Sequence, residues 1–275
     1  ESDQMKAVHR RSVPRTTPTE RLVARECGNV CSIQVQFVMG GAVKTVDILF
    51  EESAAWVEDI AKRSGLPEER VVVTPDAVDP DRFRPLDPGP ELDSLRSRYR
   101  LAAPFILNVG RIEPRKNLER LIRAFDQVRR QVDDRLQLVL VGQDDFRSES
   151  IRRAAEEPPE NAVRFLGPVP DDDLPGLYNL ASVLAYPSLA EGFGMPVLEA
   201  MACGTPVVCG DRSSLPEVAG DAALLVDPDD PSALARELVR VLTDSALAER
   251  LRKQGLARAR LFSWSRTARQ TLAAY

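Results

Sequence analysis

From residue 105 onward, the chain alternates between short apolar runs that often end in glycine and longer stretches with helical periodicity. The apolar runs lack polar alternation, which is typical of parallel strands buried on both faces. Alternation of strand and helix at this spacing predicts right-handed βαβ units in an open, doubly wound sheet of the α/β class. The predicted strands lie in FILNVG, LQLVLVG, VRFLG, SVLAYPS, PVVCG and AALLVDP.

The first predicted helix of this region shows the periodicity clearly, because its apolar residues recur at spacings of three and four. These residues are Leu118, Leu121, Ile122, Phe125 and Val128. Ligands of such sheets bind outside the carboxyl ends of the strands, so the loops that follow the strands are where a site is expected.

The flanking segments differ from this regular region. Residues 245–275 predict two amphipathic helices separated by a Phe-Ser-Trp break, and residues 46–66 predict one strand and one helix. A strand over 70–79 leads into a segment with four prolines within residues 80–90, which predicts a semi-rigid connector. Residues 1–43 are expected to be irregular apart from one strand near their end, in CSIQVQFVMGG.

Composition excludes few functions. The 275 residues are 43% hydrophobic and 29% charged, as in an ordinary globular protein, and the net charge of −5 does not indicate a nucleic-acid or membrane surface. No apolar run approaches the ~20 residues that span a bilayer. The four cysteines form two close pairs, Cys27/Cys31 and Cys203/Cys209, and the chain has one histidine. Free reduced thiols and a cytoplasmic location are therefore favoured over a zinc site.

The first candidate for chemistry is the stretch EGFGMPVLEAMACGTPVV, which places Glu191 and Glu199 eight positions apart around a glycine-rich turn. Pro196 suits the start of a helix, and the free N–H groups at a helix start form an anion site. Glu199 could then accept hydrogen bonds from a diol. The alternative reading is a glycine-rich turn with Glu191 solvated and Glu199 favoured only by the helix dipole.

The second candidate is GRIEPRKN, in which Arg111 and Lys116 follow a strand that ends at Gly110. An arginine fork and a lysine could together balance a diphosphate without a metal. Either residue alone could also be a solvated loop charge. Walker and G-x-G-x-x-G patterns are missing, and the Asp run at 171–173 suits a helix N-terminus better than a metal site. Three aromatic residues are expected to be packing groups: Trp56, Phe193 and Trp264.

These elements, in this order, resemble family 4 (group 1) retaining glycosyltransferases of the GT-B fold. The resemblance covers roughly residues 44–275 and is densest in GRIEPRKN, in the stretch from VRFLG to PVV, and in DAALLVDPDDPSALA. It implies a Rossmann-like C-terminal domain that binds a nucleotide sugar over residues 86–275. Residues 44–85 would be the end of an acceptor domain with its linker, and most of that N-terminal domain would be missing.

The resemblance also implies site residues and a reaction. It assigns catalytic roles to Glu191, Arg111 and Lys116, and substrate-binding roles to Glu199, Gly192, Phe193, Gly194, Met195 and Val169. Arg111 and Lys116 would hold the diphosphate, Glu199 the ribose and Glu191 the donor sugar. Backbone amides of 193–195 would meet sugar hydroxyls and phosphate, and the loop around Val169 would meet the base. The implied reaction is retaining transfer of a sugar from a nucleotide-diphosphate sugar to an acceptor, with no metal and no cofactor.

Two departures from the family bear on this interpretation. Asp76-Ala77 replaces the usual Asn-Gly turn, and the acceptor domain is short, so donor binding with little transfer is expected of the chain alone. The alternatives are a non-catalytic nucleotide-sugar binding module or partner subunit, and a nucleotide-sugar epimerase on the same fold. Exposed apolar surface in the N-terminal part predicts self-association or pairing with another chain. The sequence names neither the sugar, the base nor the acceptor.

Overall fold

The computed structural model describes residues 21–27, 30–39, 42–51, 54–64, 67–68, 71–101, 104–145 and 147–274. The chain divides into two compact units, Glu1–Leu49 and Phe50–Tyr275.

The first unit contains β-strands. The strands β1 (Arg21–Cys27), β2 (Val30–Met39) and β3 (Ala42–Glu51, which ends in the second unit) are neighbours in that order in one sheet. β1 and β2 are antiparallel, with Cys27 opposite Val30. The sequence analysis predicts one strand before residue 43, which corresponds to β2. The structure has a second strand there, β1, which was not predicted. Only the two residues Gly28-Asn29 separate β1 from β2, and this dipeptide is itself a hairpin signal. Residues 1–20, expected to be irregular, lie outside the described residues.

The second unit contains the predicted parallel sheet. The further strands of this unit are β4 (Val71–Val73), β5 (Phe105–Val109), β6 (Gln137–Val141), β7 (Val163–Gly167), β8 (Val183–Tyr186), β9 (Val207–Gly210) and β10 (Leu224–Val226). Six of them form a sheet in the order β10-β9-β8-β5-β6-β7, and every neighbouring pair is parallel. The prediction of a doubly wound parallel sheet is confirmed.

Helices follow most strands of this sheet. They are α1 (Val57–Ser64), α2 (Pro90–Arg98), α3 (Leu118–Val132), α4 (Glu149–Ala154), α5 (Leu174–Leu180), α6 (Met195–Ala202), α7 (Leu215–Ala219), α8 (Pro231–Thr243), α9 (Ser245–Ala259) and α10 (Trp264–Ala274). Successive residues of β5 belong to different apolar clusters, since Ile106 packs with α3 and α8 whereas Leu107 packs with α5 and α6. Both faces of the sheet are therefore buried, which explains the continuous apolar runs.

The strand order locates a crevice. The chain leaves β5 toward β6 on one side and leaves β8 toward β9 on the other side, so the connections diverge between β5 and β8. Ligands of doubly wound sheets bind at this point, outside the carboxyl ends of the strands. The backbones approach closely here, because a Cβ built on Gly142 (φ +145°) would lie 2.0 Å from the Gly110 carbonyl oxygen. Only glycine fits at position 142.

Several local expectations are tested outside the sheet. The Asp run at 171–173 forms a short 3₁₀ helix that leads into α5, as expected of a helix start. Neither Asp76 nor Ala77 has a positive φ, so the conformation that an Asn-Gly turn would favour is not used. The packing role expected of Trp264 is wrong, because the residue is 53% exposed at the start of α10. Among the described residues, no helix combines the length and apolar character needed to cross a bilayer.

Candidate functional site

Two loops meet at the crevice between β5 and β8. The loop after β5 contains a 3₁₀ helix, Pro114–Lys116, and the loop after β8 runs through the glycine-rich turn into α6. Their backbones are joined directly, since the Leu189 N–H donates to the Arg115 carbonyl oxygen at 2.9 Å. The two sequence motifs, 75 residues apart, therefore lie side by side.

Glu191 is the centre of the polar contacts between these loops. Its Oε1 accepts from Lys116 Nζ at 2.7 Å, and its Oε2 accepts from the Arg115 guanidinium at 3.0 Å. The side chains of Lys116 and Glu191 are each only 8% exposed. The reading of Glu191 as a solvated turn residue, and of Lys116 as a solvated loop charge, is therefore wrong.

Burial and pairing compete in setting the charges of this pair. Burial alone would raise the pKa of Glu191, but the charge and hydrogen bond of Lys116, helped by Arg115, lower that pKa below its usual value. The pKa of Lys116 is also lowered, because loss of solvent outweighs the attraction of Glu191. The carboxylate is thus held ionised, whereas the ammonium ion is less favoured than in water.

Tyr186 and Gly110 fix the position of Lys116. The ammonium group donates to the Tyr186 hydroxyl at 2.7 Å and lies 4.9 Å from the centre of the tyrosine ring. Burial and the charge of Glu191 raise the pKa of Tyr186 well above its usual value, so the phenol stays neutral. A Cβ on Gly110 would lie 3.1 Å from Lys116 Cε, so glycine at this strand end makes room for the lysine side chain.

Arg111 differs from Lys116 in its surroundings. Its side chain is exposed and makes no hydrogen bond or ion pair with the described residues. Its charge nevertheless contributes to lowering the pKa of Asp145, where the backbone N–H of Arg147 has the largest effect. Arg111, in the loop after β5, therefore has an exposed guanidinium fork that is not paired with a described residue, while Lys116 is already engaged.

The glycine-rich turn is held by residues that sequence reasoning missed. The Ser213 hydroxyl accepts from the Glu191 N–H at 2.9 Å, and the Ser214 hydroxyl lies 2.7 Å from the Phe193 carbonyl oxygen to which it donates. The Trp56 indole donates to the Glu191 carbonyl oxygen at 2.8 Å, in addition to any packing role. These contacts join positions far apart in sequence, so no local pattern could have indicated them.

The turn leads directly into α6. Gly194 is its N-cap, with φ +110°, and a Cβ there would lie 2.8 Å from Leu215 Cδ2. Pro196 is the second helical residue, where its missing N–H costs no helical hydrogen bond. The side chain of Phe193 is buried and packs edge-on against Phe262, with ring centres 5.7 Å apart. Gly192 and Met195 complete the turn and are partly buried.

Glu199 takes part in a separate hydrogen bond on α6. Its Oε2 accepts from the Tyr178 hydroxyl at 2.7 Å. Burial raises the pKa of Glu199, although the hydrogen bond from Tyr178 and the charge of Arg82 act against this. Val169 lies in the loop after β7 and is partly buried. Glu191 thus lies with Lys116 and Arg115, while Glu199 is held by Tyr178.

The arrangement defines a class of protein: a doubly wound sheet in which a cationic loop and a glycine-rich turn with a buried glutamate meet at the crevice. The family of glycosyl transferases group 1 matches residues 96–258, and the chain belongs to this family. It is 40% identical over 222 residues to O-antigen chain mannosyltransferase B of Escherichia coli, covering 79% of this chain and 57% of the relative.

Solved structures agree with this assignment. Sucrose-phosphate synthase from Thermosynechococcus elongatus is similar with a TM-score of 0.68 and 31% identity, over 82% of this chain and 58% of that one. The C-terminal domain of a glycosyl transferase group 1 family protein from Francisella tularensis shares the fold, with a TM-score of 0.60 and 21% identity. That match covers 67% of this chain and 97% of the domain. The chain spans less than two thirds of the mannosyltransferase and synthase.

Proposed function

We propose that this chain binds a nucleotide-diphosphate sugar at the crevice between β5 and β8 and serves retaining transfer of the sugar to an acceptor. Residues 86–275 would be the donor-binding domain. One observation carries the proposal: the loop with Arg111, Arg115 and Lys116 lies against Glu191 and the glycine-rich turn. Relatives named as glycosyltransferases, at up to 40% identity, support it further.

Transfer of the sugar develops negative charge on the departing diphosphate and positive charge on the anomeric carbon. Fixed cations and backbone N–H groups at the diphosphate stabilise such a transition state most effectively. Arg111 is free to bind phosphate oxygens, and Lys116 adds a charge deeper in the crevice. The N–H groups at the start of α6 add donors. A nucleophilic role of Glu191 is not needed in this proposal.

The two glutamates would divide the recognition of the donor. Glu199, on α6 and oriented by Tyr178, would accept from the ribose hydroxyls. Glu191, before the glycine-rich turn, would lie near the donor sugar, with the amides of 193–195 beside it. Val169 would lie near the base. A cytoplasmic location fits the free, buried thiols of Cys203 and Cys209, whereas the side chains of Cys27 and Cys31 lie outside the described residues.

Titration calorimetry with UDP and GDP tests the proposal. We expect binding that is unchanged by EDTA, since the proposed phosphate contacts are cationic side chains. Arg111→Ala should weaken binding about ten- to a hundredfold, because a hydrogen bond to a charged group contributes roughly 1.5–3 kcal/mol. Arg123→Ala, which removes an exposed arginine of α3, is the matched control. Loss of binding on chelation, or equal affinities of the two variants, would contradict the proposed site.

A second pair of variants tests the division of recognition. Glu199→Ala should weaken UDP or GDP itself, whereas Glu191→Ala should mainly reduce the additional affinity for the sugar-linked nucleotide. Equal losses for the free nucleotide in both variants would refute this assignment. In a turnover assay with several donors and an acceptor mixture, we expect little product from this chain alone, and robust formation of a glycosylated product would identify a transferase rather than a binding module.

A further inference from the structure

Arg115 connects the two loops of the site through both its side chain and its backbone. Its guanidinium donates to the Ala190 carbonyl oxygen at 2.6 Å, to Glu191 Oε2 at 3.0 Å and to Glu113 Oε1 at 2.7 Å. Its own carbonyl oxygen accepts from the Leu189 N–H at 2.9 Å. Neither of the two sequence motifs gave Arg115 a role, yet it has more contacts to the loop after β8 than Lys116 has.

The charges of this cluster cancel. Lys116 and Arg115 carry two positive charges, and Glu191 and Glu113 carry two negative charges. A diphosphate that contacts Lys116 would therefore compete with Glu191 for the single positive charge of that lysine. The carboxylate is buried, so it then depends on Arg115 for a counter-charge. Two neutral hydroxyls of the described residues also face the Glu191 carboxylate, those of Tyr186 at the end of β8 and of Ser188 in the loop after it, whereas Ser213 accepts from the Glu191 backbone N–H.

We propose that Arg115 is a positioning residue, which keeps Glu191 ionised and in place when a nucleoside diphosphate draws on the charge of Lys116. This inference rests on the proposed function. Arginine suits the role because its planar fork can hold the Ala190 carbonyl oxygen and the carboxylate together, whereas lysine offers only a point charge. Without the charge at position 115, a buried carboxylate beside a bound diphosphate would take up a proton.

Titration calorimetry of UDP and GDP in buffers of different ionisation enthalpy measures the number of protons that the protein takes up on binding. Wild-type protein should bind with an enthalpy that does not depend on the buffer. Arg115→Gln keeps a donor for Ala190 but removes the charge, so its binding should take up a proton, weaken about tenfold at pH 7 and improve as the pH falls. Arg115→Gln/Glu191→Gln should lose the buffer dependence, which a merely structural role of Arg115 would not predict.

Two further variants complete the experiment. Arg115→Lys should bind without proton uptake but more weakly than wild type, because the charge remains while the fork is lost. Arg130→Gln removes an exposed arginine of α3 that pairs only with Asp126 among the described residues, and it should bind like wild type. Thermal unfolding checks that each variant is folded. If Arg115→Gln is not folded, Arg115→Lys decides the case, because proton uptake by this variant on binding would show that a charge at position 115 does not keep Glu191 ionised and would overturn the inference.

The outcomes separate the inference from the proposed function. If the wild-type protein binds neither UDP nor GDP, the proposed function and the inference both fail. If it binds and Arg115→Gln binds with the same affinity and no proton uptake, only the role of Arg115 is wrong. If proton uptake persists in the double variant, another group than Glu191 takes up the proton, which also overturns the inference.

Discussion

Removal of one partner from the Lys116–Glu191 pair should strongly destabilise the protein. Both side chains are 8% exposed and lie 2.7 Å apart, and breaking a buried pair costs about 3–5 kcal/mol because the remaining charge is left in a dry site. Arg115 still faces Glu191 after Lys116→Met, so we expect a loss of about 3 kcal/mol for this variant. Glu191→Gln replaces the carboxylate beside Lys116 by a neutral amide, so that the ammonium group faces this amide and the Tyr186 hydroxyl, and it should cost at least as much.

The double variant Lys116→Met/Glu191→Gln measures how much of each loss of stability comes from the interaction between the two residues. Removing both charges should cost less than the sum of the single losses, with a coupling energy of about 2–3 kcal/mol. In a unit of this size, 1 kcal/mol shifts Tm by roughly 2–4 °C, so each single variant should melt about 6–12 °C lower. Arg130→Met, which breaks an exposed pair on α3, should cost about 0.5 kcal/mol or less.

Thermal and urea unfolding at several pH values provide the assay. Because the folded-state pKa of Glu191 is lowered, its contribution to the free energy of unfolding is fully present above its unfolded value and is lost as the pH falls through the lowered folded value. The difference between wild type and Glu191→Gln should therefore shrink in acid. Additive losses in the double variant, or a Lys116→Met variant as stable as Arg130→Met, would refute the reasoning.

Three further predictions concern other residues. Glu199→Gln should raise Tm at neutral pH but not in acid, because the raised folded-state pKa of Glu199 means that its ionised form destabilises the fold; a variant with the Tm of wild type at every pH would contradict this. Gly194→Ala should lower the free energy of unfolding by roughly 1–3 kcal/mol, given φ +110° and the contact with Leu215, and an unchanged urea midpoint would oppose it. In a Cys27→Ser/Cys31→Ser variant, the remaining thiols should resist a thiol reagent at pH 8 until unfolding, since burial raises the pKa of Cys203 and Cys209 to about 12; rapid labelling of the folded protein would show otherwise.

The sheet could be predicted from sequence because each of its strands carries its own signal. A parallel strand covered on both faces must be apolar throughout, and the close approach of Gly142 to Gly110 requires glycine at a strand end. These are properties of short stretches of chain, and they are visible without knowledge of the neighbours. The hairpin strand β1 carries a weaker signal, because RLVAREC mixes polar and apolar residues without a clear period.

The candidate site could be predicted only in part. Motif spacing indicates Arg111, Lys116, Glu191 and Glu199, and their assignment to a donor stays a prediction. Motif spacing does not reveal which side chains of the site contact one another. Arg115 contacts Glu191 across 76 positions, and that contact exists only because β5 and β8 are neighbours in the sheet. The exposure of Trp264 was missed for the same reason, since periodicity describes a helix face and not what covers it.

The order of strands also divides the site by charge along the chain. Every residue of the cationic loop precedes α5, whereas both glutamates, Tyr178 and Tyr186 lie within α5 or after it. A chain cut in the loop at 168–170 would yield one fragment with β5, β6, β7 and the cationic loop, and a second fragment with β8, β9, β10 and both glutamates. Because β5 and β8 are adjacent in the middle of the sheet, these two strands would have to pair between the fragments to rebuild the crevice. The molecule is thus a candidate for split-protein complementation, in which recovery of the Lys116–Glu191 contact shows that the two fragments have associated.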